Sequence, residues 1–260
     1  MKKILVITVL LICTILLSCN SNAQEDASNS RRNLTMLIDI TDEKIFSDID
    51  EDIRTNLPFF LQSTNIGKIS YQETFTVSVG MIESTDDLLL KKESISLPKQ
   101  QYVSRQRAAE LSNPRLIMHM IDNQLISGKS IAAKKHTKSP IVEIILKSLR
   151  ELTPEAQEII LIFSDGVEYS DDANFYKNIP FSDETFEKYY ATLDPFILQE
   201  ATSKIALTQP TVVFYLKTSE EGINKANLKR FYSKFFEKIG VTNYMFLDNL
   251  TQNVQSFNID

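Results

Sequence analysis

Nearly continuous apolar runs alternate along this chain with segments whose apolar residues recur at helical spacing. "NLTMLIDITDE" (33–43) opens the pattern as a buried strand that ends at Asp39. "DIDEDIRTNLPFFLQS" (48–63) has acids in its first turn and reads as a helix, bent or interrupted at Pro58. "ISYQETFTVSVGMI" (69–82) alternates and is rich in β-branched and aromatic residues, so it predicts a strand, and "KESISLP" (92–98) a shorter one closed by Pro98. The hop between these two is too brief for a crossover and predicts an antiparallel hairpin at a sheet edge.

Helical spacing returns from Ser104 to Ile126, with Asn113-Pro114 separating one helix from the next. The basic stretch "SGKSIAAKKHTK" (127–138) reads as a loop, and Ser139-Pro140 opens a helix with Ile141, Ile144, Ile145 and Leu149 on one face. "EIILIFS" (158–164), "TVVFYLK" (211–217) and "NYMFLD" (243–248) read as further buried strands, and 224–240 as a helix capped by Gly240. Residues 167–209 form a long connection with helical patterns near 183–192 and 194–207. Its aromatics, among them Tyr169, Phe175, Tyr176 and Tyr189, predict packed structure beside a site rim. Strands alternating with helices define an α/β class: a doubly wound, mostly parallel sheet with an antiparallel edge strand and helices on both faces.

The first residues bear on location. Lys2 and Lys3 precede an apolar run from Ile4 to Leu17, too short for a comfortable membrane span. The run Leu16-Leu17-Ser18-Cys19 resembles the bacterial lipoprotein signal, which implies cleavage after residue 18 and lipidation of Cys19. The polar stretch 19–32 then reads as a flexible tether, and its "QED" (24–26) resembles the acidic surface-export signals of Bacteroidota lipoproteins. Residues 33–250 form the domain, with 167–209 as a helical elaboration, and 251–260 a tail. The expected location is the cell envelope, with the chain lipid-anchored to a membrane, the outer membrane first, and either periplasmic or surface-exposed.

Charge and cysteine content narrow the functions. The formal net charge is −6, and loss of Lys2 and Lys3 with the signal would lower it by two more. An acidic chain without a basic stripe is a poor nucleic-acid binder, because phosphate neutralisation drives that binding. Of its two cysteines, Cys13 lies inside the removed segment, so the mature chain would carry no disulfide.

The chemistry sits at strand ends. In an open α/β sheet, ligands bind outside the carboxyl ends of the strands. Asp39-x-Thr41-x-Glu43 follows the first strand, Asp165-Gly166 a later one, and Ser139 starts a helix between them. This order, with the edge hairpin and the "LIFSDG" strand end, resembles the von Willebrand factor A domain over residues 33–250. The resemblance implies a divalent-cation site (the metal-ion-dependent adhesion site, MIDAS) holding Mg²⁺, or Mn²⁺ or Ca²⁺, through which a protein partner offers a carboxylate. It carries over onto Asp39, Thr41 and Asp165 directly, with Ser139 standing in for the family's threonine. Glu43 stands where the family has its second serine. It can ligate the metal and fill the partner's position, or leave for solvent.

Other readings stay beside this one. Asp39 and Asp165 also suit loop capping without a metal, and Ser139 is by itself a good helix N-cap. That leaves a metal-free docking or scaffold module of an envelope complex as the alternative. A Mg²⁺-dependent phosphatase-like hydrolase is disfavoured, because Thr41 occupies the place where a second carboxylate would have to protonate a leaving group. No G-x-S-x-G, P-loop, H-E-x-x-H or CxxC is present. The expected protein is therefore a binding module and not an enzyme. His119 falls in an apolar helical stretch and is expected to be packed, His136 in a solvated basic loop, and the aromatics of "FYSKFFEK" (231–238) in the core.

Overall fold

The computed structural model describes residues 31–64, 66, 69, 73–83, 88–96, 103–133, 136–217 and 223–251. Cys19, the signal segment, most of the tether and residues 252–260 lie outside them. Six strands form one sheet in the order β3-β2-β1-β4-β5-β6. They are β1 (Arg31–Asp39), β2 (Thr74–Ile82), β3 (Lys91–Ser96), β4 (Ala156–Ser164), β5 (Thr211–Leu216) and β6 (Asn243–Leu247). All neighbours pair in parallel except β2 and β3, which are antiparallel. The expected doubly wound α/β sheet with an antiparallel edge strand is the one observed. Its order reverses at β1 and β4, the switch point where such sheets bind ligands.

Alternation along the central strands supplies two cores. Leu34, Met36 and Ile38 of β1, with Ile159, Leu161 and Phe163 of β4, face α1 (Glu43–Ser63) and α2 (Val103–Ala132). Leu37, Ile160, Ile162, Val212 and Phe214 face the other way. There they meet α3 (Ile141–Arg150), α4 (Asp183–Tyr190), α5 (Pro195–Thr208) and α6 (Lys225–Ile239). Strands buried on both faces explain their unbroken apolar runs. Phe231, Tyr232, Phe235 and Phe236 of α6 are fully buried, as their helical spacing predicts.

Several sequence expectations need correction. α1 starts at Glu43, not Asp48, because Asp42 caps it by accepting the Ile45 N–H at 2.8 Å. Pro58 lies inside that helix and does not end it. α2 likewise runs through Pro114 as one helix and takes in 127–132, the first half of the expected basic loop. A proline removes only one backbone hydrogen bond, and the apolar face of a long helix packed on the sheet can offset that loss. In α2 that face is made by Ile117, Ile121 and Leu125, all buried. His119 is not packed with them; it lies off that face and is exposed. His136 is half-buried, its Nε2 lying 3.1 Å from the Ile131 carbonyl.

The long connection is folded, as its aromatics predict, but unevenly. Phe175, Phe186 and Tyr189 are buried around Phe231, while Tyr169 and Tyr176 remain exposed as an edge-on ring pair. Among the described residues no helix is long and apolar enough to cross a membrane.

Candidate functional site

β1 and β4 lie side by side with Ile38 opposite Phe163, so Asp39 and Ser164 come next on the rim. The Ser164 hydroxyl donates to Asp39 Oδ2 at 2.6 Å. Oδ1 of Asp39 accepts from the Thr41 backbone N–H at 3.0 Å and from its hydroxyl at 2.6 Å. The chain thus folds back on its own strand-end carboxylate, a local turn that aspartate favours. Asp39 is 2% exposed, and burial pushes its carboxyl above the usual aspartate range. The Ser164 and Thr41 hydrogen bonds oppose that rise, and the neighbouring Asp42 charge adds to it.

Ser139 arrives from the opposite side of the rim. Its hydroxyl oxygen lies 3.1 Å from that of Thr41, across 98 positions of sequence. It does not cap α3, contrary to its sequence context. The position before that helix is Pro140, with no side-chain cap, and the helix N–H of Val142 is taken instead by Glu168 Oε2 at 2.9 Å. Ser139 is held by its backbone. It exchanges hydrogen bonds of 2.6 and 3.0 Å with Tyr169, in a bridge to the loop after β4. That arrangement frees the hydroxyl to face Thr41.

Asp165 is 4% exposed, and its Oδ1 accepts the Val167 N–H at 2.8 Å. Gly166 turns the chain at once, with φ of 75°, while its own N–H donates to Ser164 Oγ at 2.9 Å. A Cβ at Gly166 would sit 2.5 Å from Leu216 Cδ1, so both the backbone and the space demand glycine. The Tyr232 hydroxyl donates to the Gly166 carbonyl at 3.1 Å and fixes the turn from below.

The sequence-derived set is therefore brought together only in part. Asp39, Thr41 and Ser139 form one hydrogen-bonded chain, with Asp165 one residue beyond Ser164 on the same rim. Glu43 is an exposed residue in the first turn of α1. Two contributors escaped sequence reasoning. Ser164 is fully buried between the two aspartates' positions, and its only signal is its place just before Asp165 in "FSDG". Glu168 is 1% exposed, and burial drives its carboxyl up to about 8 although the Val142 and Ile141 N–H groups and Ser170 hold it down. Its role depends on a helix start that is distant in sequence.

Among the described residues, no group of three or more His, Cys, Asp and Glu side chains is arranged to hold a metal. The donors gathered at the rim are all oxygen: Asp39 and Asp165 carboxylates with Thr41 and Ser139 hydroxyls. Hard oxygen donors suit Mg²⁺, Mn²⁺ or Ca²⁺ and do not suit a soft thiolate metal. Asp39 is a buried carboxyl whose charge a cation would offset, and both of its oxygens accept hydrogen bonds within the protein.

No protein-family model matches the chain, and no curated protein matches it. Among solved structures, the human COPII-coat protein Sec24c aligns over 88% of this chain and 31% of its own, at 11% identity and a TM-score of 0.36. Manganese-loaded Plasmodium vivax TRAP aligns over 88% of this chain and 71% of its own, at 12% identity and a TM-score of 0.34. The pilus adhesin SpaC of Lactobacillus rhamnosus GG aligns over 88% and 29%, at 12% identity and a TM-score of 0.41. This chain thus spans about a third of Sec24c or less. Likenesses this low identify no shared ligand, and the class rests on the strand order itself: a doubly wound, mostly parallel α/β domain.

Proposed function

We propose that this chain is a von Willebrand factor A-like binding module, held at a bacterial envelope membrane through lipidated Cys19, that engages a protein partner through a divalent cation. Asp39, Thr41, Ser139 and Asp165 would hold the ion, and the ion would receive a partner's carboxylate. Hydroxyl ligands bind a cation without cancelling its charge, which keeps it attractive to an anionic group. The observation that carries this reading is the meeting of the Thr41 and Ser139 hydroxyls at 3.1 Å beside buried Asp39. Ser139 has surrendered the capping position that its sequence predicts, and Glu168 has taken it over. No catalysis is proposed for the rim.

A metal-free docking module is the second reading, favoured by the complete hydrogen bonding of both Asp39 oxygens within the protein. A titration separates the two. The full chain, stripped with chelator, is melted with Mg²⁺, Mn²⁺ or Ca²⁺ added back. An ion that binds only the folded state raises the melting temperature by mass action. Asp39→Ala abolishes the gain on the cation reading. Absence of any shift with millimolar ion leaves the metal-free module. Membrane fractionation of wild type and Cys19→Ala tests the anchor separately: wild type sediments with membranes, and the variant is released or left uncleaved.

A further inference from the structure

The stretch that brings Ser139 to the rim also forms the lip of a groove. Lys138 and Pro140, its two neighbours, line a cavity of about 400 Å³ between the start of α3, the loop after β4, and the turn joining α4 to α5. Leu146, Leu193 and Phe196 supply the apolar part of the lining. Phe196, in the first turn of α5, is 76% exposed.

The lining is acidic, with Glu143, Asp171, Asp172 and Asp194; Glu143 is paired with Lys147 at 2.7 Å, and Asp194 caps α5 by accepting the Phe196 and Ile197 N–H groups through Oδ1. Lys138 is the sole cation among the described lining residues, and it is already paired with Asp171 at 2.5 Å. Asp172 is exposed and has no ion pair among the described residues. Glu168 closes the floor as a buried carboxyl bound to the first N–H groups of α3. An apolar slot with a carboxylate mouth is complementary to a long aliphatic stem that ends in a positive charge.

We propose that this groove receives a lysine or arginine side chain of the protein partner, placed beside the partner's cation-bound carboxylate. The stem would lie along Leu146, Leu193 and Phe196, and the charged head would stay among Asp171, Asp172 and Asp194 at the mouth. An arginine can meet one of these carboxylates through two parallel N–H donors, and it stacks on an aromatic face such as Phe196. The existence of a partner rests on the binding-module reading. Groove binding itself needs no metal, so the two ideas fail separately.

The test uses the full chain in chelator, with methyl groups of leucine and isoleucine labelled for NMR. The probes are N-acetyl-arginine amide and its neutral isostere N-acetyl-citrulline amide. A single side chain is a weak ligand, with a dissociation constant expected on the order of 1–10 mM. The arginine probe should shift the Leu146, Leu193 and Ile197 methyls in a saturable way, and added salt should weaken it. The citrulline probe should bind at least about fivefold more weakly, a loss within the range of one exposed charge contact. The doubly substituted Asp171→Asn, Asp172→Asn chain changes only exposed groups and should lose most of the arginine response with an unchanged melting temperature. Equal responses to both probes, shifts confined to other methyls, or an undiminished response in the doubly substituted chain would each overturn the proposal.

Discussion

Two buried carboxyl groups flank Ser139, and they are held in different ways. Asp39 is bound mainly by hydroxyls, those of Thr41 and Ser164, and reaches Ser139 through the first of these. Glu168 is bound mainly by backbone N–H groups at the start of α3, with the Ser170 side chain as a further partner, and reaches Ser139 through the Tyr169 bridge. A hydroxyl can turn its hydrogen away and offer a lone pair to a cation, whereas a backbone N–H can only donate. On the cation reading, the Asp39 side of the rim is the one that exchanges partners. The Glu168 side is built to stay, and it keeps α3 and the loop after β4 in register so that Ser139 faces Thr41.

The largest expected effect tests the fixed member. The Glu168 carboxyl is raised from 4.5 to about 8 by burial. For an acid with a raised folded-state value, the stabilising contribution is complete below the unfolded value and is lost as pH climbs towards the folded one. Between about pH 4.5 and 8 the folded chain keeps a proton that the unfolded chain has released, and stability falls by an amount on the order of 4 kcal/mol. Glu168→Gln removes this titration while preserving an acceptor for the Val142 N–H. Urea denaturation at about pH 5 and about pH 9 should show a steep loss for wild type and a shallower one for Glu168→Gln. Parallel losses in the two proteins would mean that Glu168 is not the titrating group, and the contrast with Asp39 would lose its basis.

The comparison also explains what the sequence could and could not reveal. Asp39, Thr41 and Asp165 were legible because each closely follows an apolar run that only a strand buried on both faces would show. The sheet class followed from the same runs and from the short link before β3. Glu168 was hidden because it lies in a loop, and its partners belong to a helix that starts 27 positions earlier at Ile141. Ser139 was visible, but its local context argued for a cap that tertiary structure assigns to Glu168. Pro114 misled for a related reason: it is a breaker by local preference, and packing of a long helix overrides it. Ser164 reads as the last residue of a strand, and only the pairing of β4 with β1 turns it towards Asp39.

A middle-sized effect probes the exchangeable side. Ser164 both donates to Asp39 Oδ2 and accepts the Gly166 N–H, all in full burial. Ser164→Ala leaves a buried carboxylate oxygen and a buried N–H short of a partner. Loss of about 1–3 kcal/mol is expected from such unsatisfied groups. Bound Mg²⁺ or Mn²⁺ should recover part of it, because the ion supplies Asp39 with a new partner. A destabilisation of the same size with and without ion would place Ser164 in a structural role alone and make the two carboxyls alike.

The smallest effect on stability is expected at Glu43, and it bears most directly on binding. Glu43 is exposed in the first turn of α1, where an acid interacts favourably with the helix N-terminus. Glu43→Ser should therefore cost no more than about 0.5 kcal/mol, the usual scale for an exposed substitution. Its consequence for the rim is electrostatic. Removing a charge close to Thr41 lowers the attraction for a cation, yet it also lowers the repulsion of an incoming carboxylate. If Glu43 swings in to ligate the ion, the variant opens a coordination position as well. Acetate titrated into the Mn²⁺-loaded protein, followed by the relaxation of water protons, distinguishes these outcomes. Tighter acetate binding in Glu43→Ser, with Mn²⁺ affinity little changed, is expected if the glutamate competes with the partner. Unaltered acetate binding would mean that Glu43 serves only the helix, and that the rim is open to a partner as it stands.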